Sequence, residues 1–223
     1  MSDVVTLTMN PAVDLSAKAE KLVVGHKTRC SGQRRHPGGG GINVARGVRK
    51  LGAGALAVYP AGGGAGEFLN QLMDAEQIKR RTIGTSEPTR ENFSLHETDT
   101  DRHYHFVFPG PKLRQHEWEA CLDTLANLRP APSQLVLSGS LPDGVPPDFY
   151  VRVAHLFQER GTQLILDTSG VPLRSSLNAG RFYLVKPNRR ELEQIYDMRA
   201  ENPGDYVRCM ESLIESGSVG NVV

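Results

Sequence analysis

Pro37-Gly38-Gly39-Gly40-Gly41-Ile42-Asn43-Val44-Ala45-Arg46 decides how this chain is read, because four glycines run straight into a segment with helical periodicity. Glycines without a Cβ take positive φ and let their N–H groups converge. The N-terminus of the helix that follows adds unpaired donors and a partial positive charge. Such a corner suits an anionic or hydroxyl-rich small molecule, whereas a plain glycine linker would rarely continue into an amphipathic helix. Asn43, one turn in, offers both donor and acceptor, and Val44, Val48 and Leu51 are the expected buried side of the helix.

Outward from that corner, short β-rich runs alternate with helical patterns. Val4 to Met9 precedes the glycines; Ala55 to Tyr59, a helix from about Gly66 to Ala75 and a strand near Ile78 follow. The rhythm resumes with a helix through Trp118, Cys121, Leu122, Leu125 and Leu128, a strand at Leu135 to Leu137, and a helix carrying Phe149, Val153, Ala154 and Phe157. Leu164 to Leu166 then leads to Asp167, Phe182 to Val185 leads to Lys186, and a last helix near Tyr206, Met210, Leu213 and Ile214 ends at Gly217. The final residues, Val219-Gly220-Asn221-Val222-Val223, read as the middle of a strand. This alternation predicts an α/β fold: a parallel sheet flanked by helices on both faces, with ligands outside the carboxyl ends of the strands.

Two segments break the rhythm, about 15–35 and 90–108, and read as extended hairpins forming one small accessory sheet. In the second, Arg102, Tyr104, Phe106 and Phe108 alternate with His103, His105 and Val107, so one side is aromatic and the other partly ionisable. A sheet this exposed either closes over the site as a lid or pairs with the same sheet of a second subunit. A homodimer through the β lid is therefore expected.

The 223 residues suffice for one domain, and 39% apolar with 23% charged composition is ordinary for a globular protein. A net charge of +1, from 26 basic and 25 acidic residues, gives no global attraction to nucleic acid or to an anionic membrane, so the partner should be a small molecule. No apolar run approaches the roughly 20 residues needed to span a bilayer. The N-terminus lacks signal-peptide features, which points to the cytoplasm. Cys30, Cys121 and Cys209, odd in number and without a C-x-x-C pair, argue against a disulfide framework or a structural zinc.

Several side chains carry candidate chemistry. Asp14 follows the first strand at the ligand edge of the sheet, where its carboxylate either accepts from two sugar hydroxyls or caps a turn. Lys27, Arg29, Arg34, Arg35 and Arg90 gather positive charge that suits a phosphate, or a solvated basic face. Ser138-Gly139-Ser140 ends a strand with its hydroxyls at the same edge. Asp167 terminates another strand, and Asn188 and Glu191 stand three apart at a helix start; hard oxygens so grouped suit Mg²⁺, or serve as a helix N-cap. His103 and His105 share a strand face and make at most half a metal site. No G-x-x-x-x-G-K-[ST] P-loop and no G-x-G-x-x-G after a strand is present, which removes support for P-loop and Rossmann nucleotide binding.

The motifs Leu7-Thr8-Met9-Asn10-Pro11-Ala12-Val13-Asp14, Gly38 to Arg46, Ser138-Gly139-Ser140-Leu141-Pro142 and Lys186-Pro187-Asn188-Arg189-Arg190-Glu191 stand in one order that resembles the ribokinase-like PfkB carbohydrate kinases. The uncharged glycine run and Pro60-Ala61-Gly62-Gly63 are most similar to the minor-isozyme type of bacterial 6-phosphofructokinase. The resemblance is collinear over residues 1–223, read as the N-terminal portion of a single ribokinase-like kinase domain. It implies ATP-dependent phosphorylation of fructose 6-phosphate with Mg²⁺. Asp14, Gly38, Gly39, Gly40, Asn43 and Ser140 would hold the sugar and Lys27 and Arg90 its phosphate. Lys186 and Asn188 would lie at the nucleotide, with Asp167 and Glu191 at the metal. His105 stands where that subgroup has a phosphate-binding arginine, which keeps a 1-phosphofructokinase or tagatose-6-phosphate kinase open.

The resemblance further implies a Gly-Ala-Gly-Asp motif, carrying the catalytic base and an anion hole, whose place in the family pattern falls beyond Val223. The expectation is a chain that holds no catalytic residue itself and is inactive or very weak alone. The alternative is a non-catalytic sugar-phosphate-binding or dimerising remnant.

Overall fold

The computed structural model describes residues 3–223. In chain order the elements are β1 (Val4–Leu7), β2 (Ala12–Ala19), β3 (Ser31–Gly38), α1 (Gly40–Lys50), β4 (Ala55–Ala61), α2 (Gly63–Ala75), β5 (Lys79–Gly84), β6 (Arg90–Glu97) and β7 (Arg102–Phe106). They continue with α3 (Gln115–Ala126), β8 (Gln134–Ser138), α4 (Phe149–Phe157), β9 (Gln163–Asp167), α5 (Gly170–Ala179), β10 (Phe182–Val185), α6 (Arg189–Tyr196), α7 (Pro203–Glu215) and β11 (Val219–Val222).

Seven strands form one parallel sheet in the order β11-β10-β9-β8-β1-β4-β5. All seven residues of β4 are buried, as a strand with both faces covered requires. Its alternate residues part to opposite layers: Ala55, Ala57 and Tyr59 pack with Ile42 and Ala45 of α1 and Leu69 and Met73 of α2. Leu56 and Val58 join Val5, Leu7, Leu135 and Leu137 beneath Trp118, Cys121, Phe149, Leu173 and Leu213 of the remaining helices. Helices therefore cover both faces, as the alternation predicts. Among the described residues no helix is long and apolar enough to cross a membrane.

The chain moves from β1 out to β4 and β5, then returns to place β8 on the other side of β1 before β9, β10 and β11 continue away. Between β1 and β8 the strand order reverses, and in open α/β sheets that crevice is where ligands bind.

The accessory sheet is four-stranded, order β3-β2-β6-β7, with β2 and β6 parallel and the outer pairs antiparallel. It is longer than the 15–35 and 90–108 segments suggest at its inner end, because β2 starts at Ala12 and β3 runs on to Gly38. One face carries Ala17, Ala19, Leu95, Phe93 and Tyr104 with Leu22 packed on them, and Phe93 stacks on Phe106 at 5.8 Å. The polar alternates, Asp14, Asn92, Ser94, His96, His103 and His105, take the other face. Buried Glu97 ties the outer end together, accepting from Leu22 N–H at 2.7 Å, Tyr104 hydroxyl at 3.2 Å and Thr100 hydroxyl. The Leu22 N–H and those hydroxyls hold its pKa below the ordinary carboxylate value.

Three local expectations need correction. Leu51 is 87% exposed rather than buried: α1 ends at Lys50, and the helix sits on Gly41, Ile42 and Ala45, with Val44 and Val48 half-buried. Small residues at positions 41 and 45 let the helix axis approach β1 along that seam instead of the valine stripe. Helix α5 has no counterpart in the sequence reading, since Pro172 and two serines obscure the Leu173, Ser176, Leu177 seam. Pro172 sits in the first turn, where a missing N–H loses no helical bond. Val223 lies just past the last strand residue rather than inside the strand: β11 pairs with β10 from Val219 opposite Phe182 to Val222 opposite Val185. Val223 is exposed, and its N–H adds one bond to the Val185 carbonyl at 3.1 Å.

Candidate functional site

Three chain segments converge at the β1/β8 crevice, and the glycine run is what lets them meet. Thr8, just past β1, accepts the Ile42 N–H on its hydroxyl at 2.9 Å, tying the first turn of α1 to the strand end. Gly39 takes φ +114°, and a Cβ there would lie 2.6 Å from Thr8 Cγ2. A Cβ on Gly41 would lie 2.6 Å from Thr8 Oγ1 and 2.7 Å from the Leu7 carbonyl. A Cβ on Gly40 would overlap Ser138 Oγ, and one on Gly38 would overlap the Asp14 carboxylate. The carboxylate of the lid and the hydroxyl of β8 are thus both pressed against backbone at the mouth of α1.

Asp14 is held from the lid side. Asn92, its register partner on β6, donates Nδ2–H to Asp14 Oδ1 at 2.9 Å and accepts the Phe108 N–H on its own carbonyl at 3.2 Å. Arg90, two residues earlier on the same strand, donates to the Asn10 carbonyl at 2.9 Å and the Phe108 carbonyl at 3.1 Å. Its Nε is buried without a partner. Burial pulls the Arg90 pKa below its ordinary value, and the Asp14 carboxylate acts in the opposite direction. Asn10 donates to Ser140 Oγ at 3.1 Å, while its side-chain carbonyl oxygen is buried and unpaired. One donor, Arg90 Nε, and one acceptor, the Asn10 side-chain oxygen packed against Gly110, are therefore left without partners, and such atoms are rare in finished protein interiors.

Asn43 is exposed on the first turn of α1, its Oδ1 accepting from Arg46 at 3.3 Å. Arg46 is itself held by Glu76 through two bonds of 2.7 and 2.8 Å. The second cluster lies along the same sheet edge. Asp167, paired in register with Ser138, accepts its hydroxyl at 3.1 Å and forms an ion pair with Lys186 Nζ at 3.0 Å. Gly139, between the serines, has φ +108° and presents its carbonyl to Tyr150 at 3.0 Å and Thr168 at 2.9 Å. Asn188 caps α6 by accepting the Glu191 N–H at 3.0 Å, and Glu191 returns one oxygen to the Asn188 N–H at 2.8 Å.

The structure thus brings Asp14, Gly38 to Gly41, Arg90 and Ser140 into one corner, with Lys186 and Asp167 beside it. Lys27 stands apart, exposed in the loop beyond β2. Five residues separate Asp14 from the end of β2, about 17 Å at 3.3 Å per residue. His105 faces Ser94 with Nδ1 3.0 Å from its hydroxyl. Val223 follows β11 at the far edge of the sheet, four strands from β1, and takes no part in the corner. Sequence reasoning missed Asn92 and gave Asn10 no role of its own; the polar alternation Arg90, Asn92, Ser94 along β6 was the available signal for the first.

The lid thus sets a carboxylate and an arginine over a glycine-led helix, an arrangement whose chemistry suits a hydroxylated, anionic small molecule. Residues 2–223 match the model of the pfkB family carbohydrate kinases, and the chain belongs to that family. It is 40% identical over 220 residues to the ATP-dependent 6-phosphofructokinase isozyme 2 of Mycobacterium tuberculosis, covering 99% of this chain and 64% of that protein. It is 35% identical over 192 residues to a 1-phosphofructokinase of Xanthomonas campestris, covering 85% of this chain and 60% of that protein. Escherichia coli phosphofructokinase-2 in complex with fructose-6-phosphate superposes with TM-score 0.94 at 34% identity, covering 100% of this chain and 73% of that one. The tetrameric inhibited form of the same enzyme gives TM-score 0.93 at the same identity and coverage. The chain therefore spans less than two thirds of the length of the first curated relatives.

Proposed function

We propose that the protein is an ATP-dependent sugar-phosphate kinase of 6-phosphofructokinase type, acting on fructose 6-phosphate in the cytoplasm. The observation that carries this reading is the Asp14 carboxylate, seated against the backbone of Gly38 and oriented by Asn92, with the Arg90 guanidinium beside it. A carboxylate accepts sugar hydroxyls and a guanidinium matches phosphate oxygens. The unpaired Asn10 side-chain carbonyl oxygen and Arg90 Nε supply further polar capacity in the same corner. The similarity to Escherichia coli phosphofructokinase-2, whose structure holds fructose-6-phosphate, supports the choice of sugar.

Phosphoryl transfer rests on positioning and charge neutralisation. Asp14, Asn43, Ser140 and the glycine backbone orient the sugar, and the lid excludes water above it. Lys186 lies at the same strand edge, available to a nucleotide phosphate. Asp167 and Glu191 would be the oxygen donors for Mg²⁺, which would neutralise phosphate charge there. Asp167 spends both oxygens on Ser138 and Lys186, whereas Glu191 uses one oxygen in its cap and keeps the other free. That pattern fits an ion held through water, since Mg²⁺ retains several waters and few carboxylates. We assign no proton acceptor for the sugar hydroxyl within residues 3–223.

Lys27 is out of reach of its own Asp14, so a role on the sugar phosphate requires the lid of a second copy, which the homodimer supplies. His105 favours keeping 1-phosphofructokinase as the second reading. Calorimetric titration with fructose 6-phosphate, fructose 1-phosphate and tagatose 6-phosphate separates the readings. Preference for fructose 6-phosphate supports the proposal, preference for fructose 1-phosphate transfers it to the second reading, preference for tagatose 6-phosphate makes it a tagatose-6-phosphate kinase, and no binding of any of the three overturns all of them.

A further inference from the structure

We propose that His96, Asp101 and His103 form a binding site for a borderline first-row divalent cation, represented by Zn²⁺, at the outer end of the lid hairpin. The register of β6 and β7 sets His96 directly opposite His103. Their rings stack at 4.3 Å with 6° between planes. The turn joining the two strands brings the chain back through Asp101 in the left-handed region, φ +52°, a conformation that Asp tolerates better than most residues. Asp101 Oδ1 then lies 2.8 Å from His96 Nε2. One ligand atom from each of the three residues falls within 4.8 Å of the other two, the only such group of three or more His, Cys, Asp or Glu residues among those described.

Zinc bonds of about 2.0–2.1 Å in tetrahedral geometry need donors roughly 3.4 Å apart. The widest pair must therefore close by at most about 1.4 Å. His103 and Asp101 are exposed and His96 half-buried, which leaves the side chains room to rotate; the parallel imidazoles must turn out of their stack so that a nitrogen lone pair of each, which lies in its ring plane, meets at one ion. Two imidazoles and one carboxylate leave a fourth position for water. The set suits Zn²⁺ far better than Mg²⁺, which demands near-octahedral oxygen ligation. Lys18, the register partner of His96, and Arg34 line the shallow cavity beside the rings together with Ser16 and Ser94. Both cations are exposed and end on long flexible stems free to turn into water, and Asp101 supplies the compensating negative charge.

The group is on the Asp14 face of the lid but four residues along β6 from Asn92, about 13 Å away, so it is separate from the sugar corner. A bound ion would clip the 98–101 turn to both strands of the hairpin and stiffen the outer lid.

The test is calorimetric titration of the metal-free chain with ZnCl₂, in a Cys30→Ser background because Cys30 is an exposed thiol. One ion per chain is expected, with His96→Ala and His103→Ala each weakening affinity at least tenfold and millimolar Mg²⁺ failing to compete. Co²⁺ should give the visible absorption of four-coordinate cobalt, lost in the same variants. Circular dichroism checks folding, and His103→Gln replaces His103→Ala should the latter unfold. Unchanged affinity in the His96→Ala/His103→Ala double variant, competition by Mg²⁺, or no saturable binding would overturn the proposal.

Discussion

Replacing Gly38 by alanine should cripple sugar binding while leaving the sheet intact. A Cβ at position 38 would lie 2.5 Å from Asp14 Cγ and 2.7 Å from Oδ1, with Oδ2 closer still. Carbon contacts settle near 3.5 Å, so the carboxyl must retreat by about 1 Å. That retreat pulls Asp14 Oδ1 off its 2.9 Å bond from Asn92 and away from where the sugar hydroxyls sit. A hydrogen bond to a charged group contributes about 1.5–3 kcal/mol, so losing one weakens binding by roughly 10- to 150-fold. Fructose 6-phosphate titrated into Gly38→Ala, with circular dichroism as the folding check, reads the effect. Binding within twofold of the parent by a folded variant would refute the argument that the glycine exists to seat the carboxylate.

Gly47→Ala is the contrasting substitution: nothing lies within 4 Å of the added Cβ and the site is in the interior of α1. It should stabilise by about 0.5–1 kcal/mol and leave ligand affinity unchanged, measured by chemical denaturation. Asn188→Ala removes one bond of the α6 capping box and should lower stability by about 1 kcal/mol in the same measurement. Glu117, in the first turn of α3, is buried against the loop that follows β5. Burial raises its pKa, but the Arg114 N–H and the Ser86 N–H and hydroxyl outweigh this and hold it below its ordinary value of 4.5. A lowered folded-state pKa contributes stability above the unfolded value and loses it as pH falls through the folded one. Melting temperature should therefore fall steeply below about pH 4.5, and Glu117→Gln, less stable at pH 7, should show a flatter acid limb.

The parallel sheet was readable because buried strands and helices announce themselves by period, as at Ala55 to Tyr59 and Phe149 to Phe157. Helix α5 was not, since Pro172 and the serines dilute its seam and only packing against the sheet fixes it. The glycine corner was legible as a close approach, but which groups approach was not: Ser138 and Thr8 reach it from strands distant in sequence. Asp14 was visible as a residue at a strand edge, whereas its orientation depends on Asn92, 78 positions away, and the parallel pairing of β2 with β6 leaves no local trace. Lys27 could be singled out by type, yet its distance from Asp14 follows from the length of β2 and the path of the loop beyond it.

The central claim is that the Gly38 to Gly41 corner and Asp14 together receive the sugar. A crystal structure of the chain with fructose 6-phosphate tests it most directly. Sugar hydroxyls should lie within hydrogen-bond distance of both Asp14 oxygens and of the α1 N-terminus, with the phosphate turned toward Arg90. Sugar density elsewhere, with that corner closed against the lid, would contradict it.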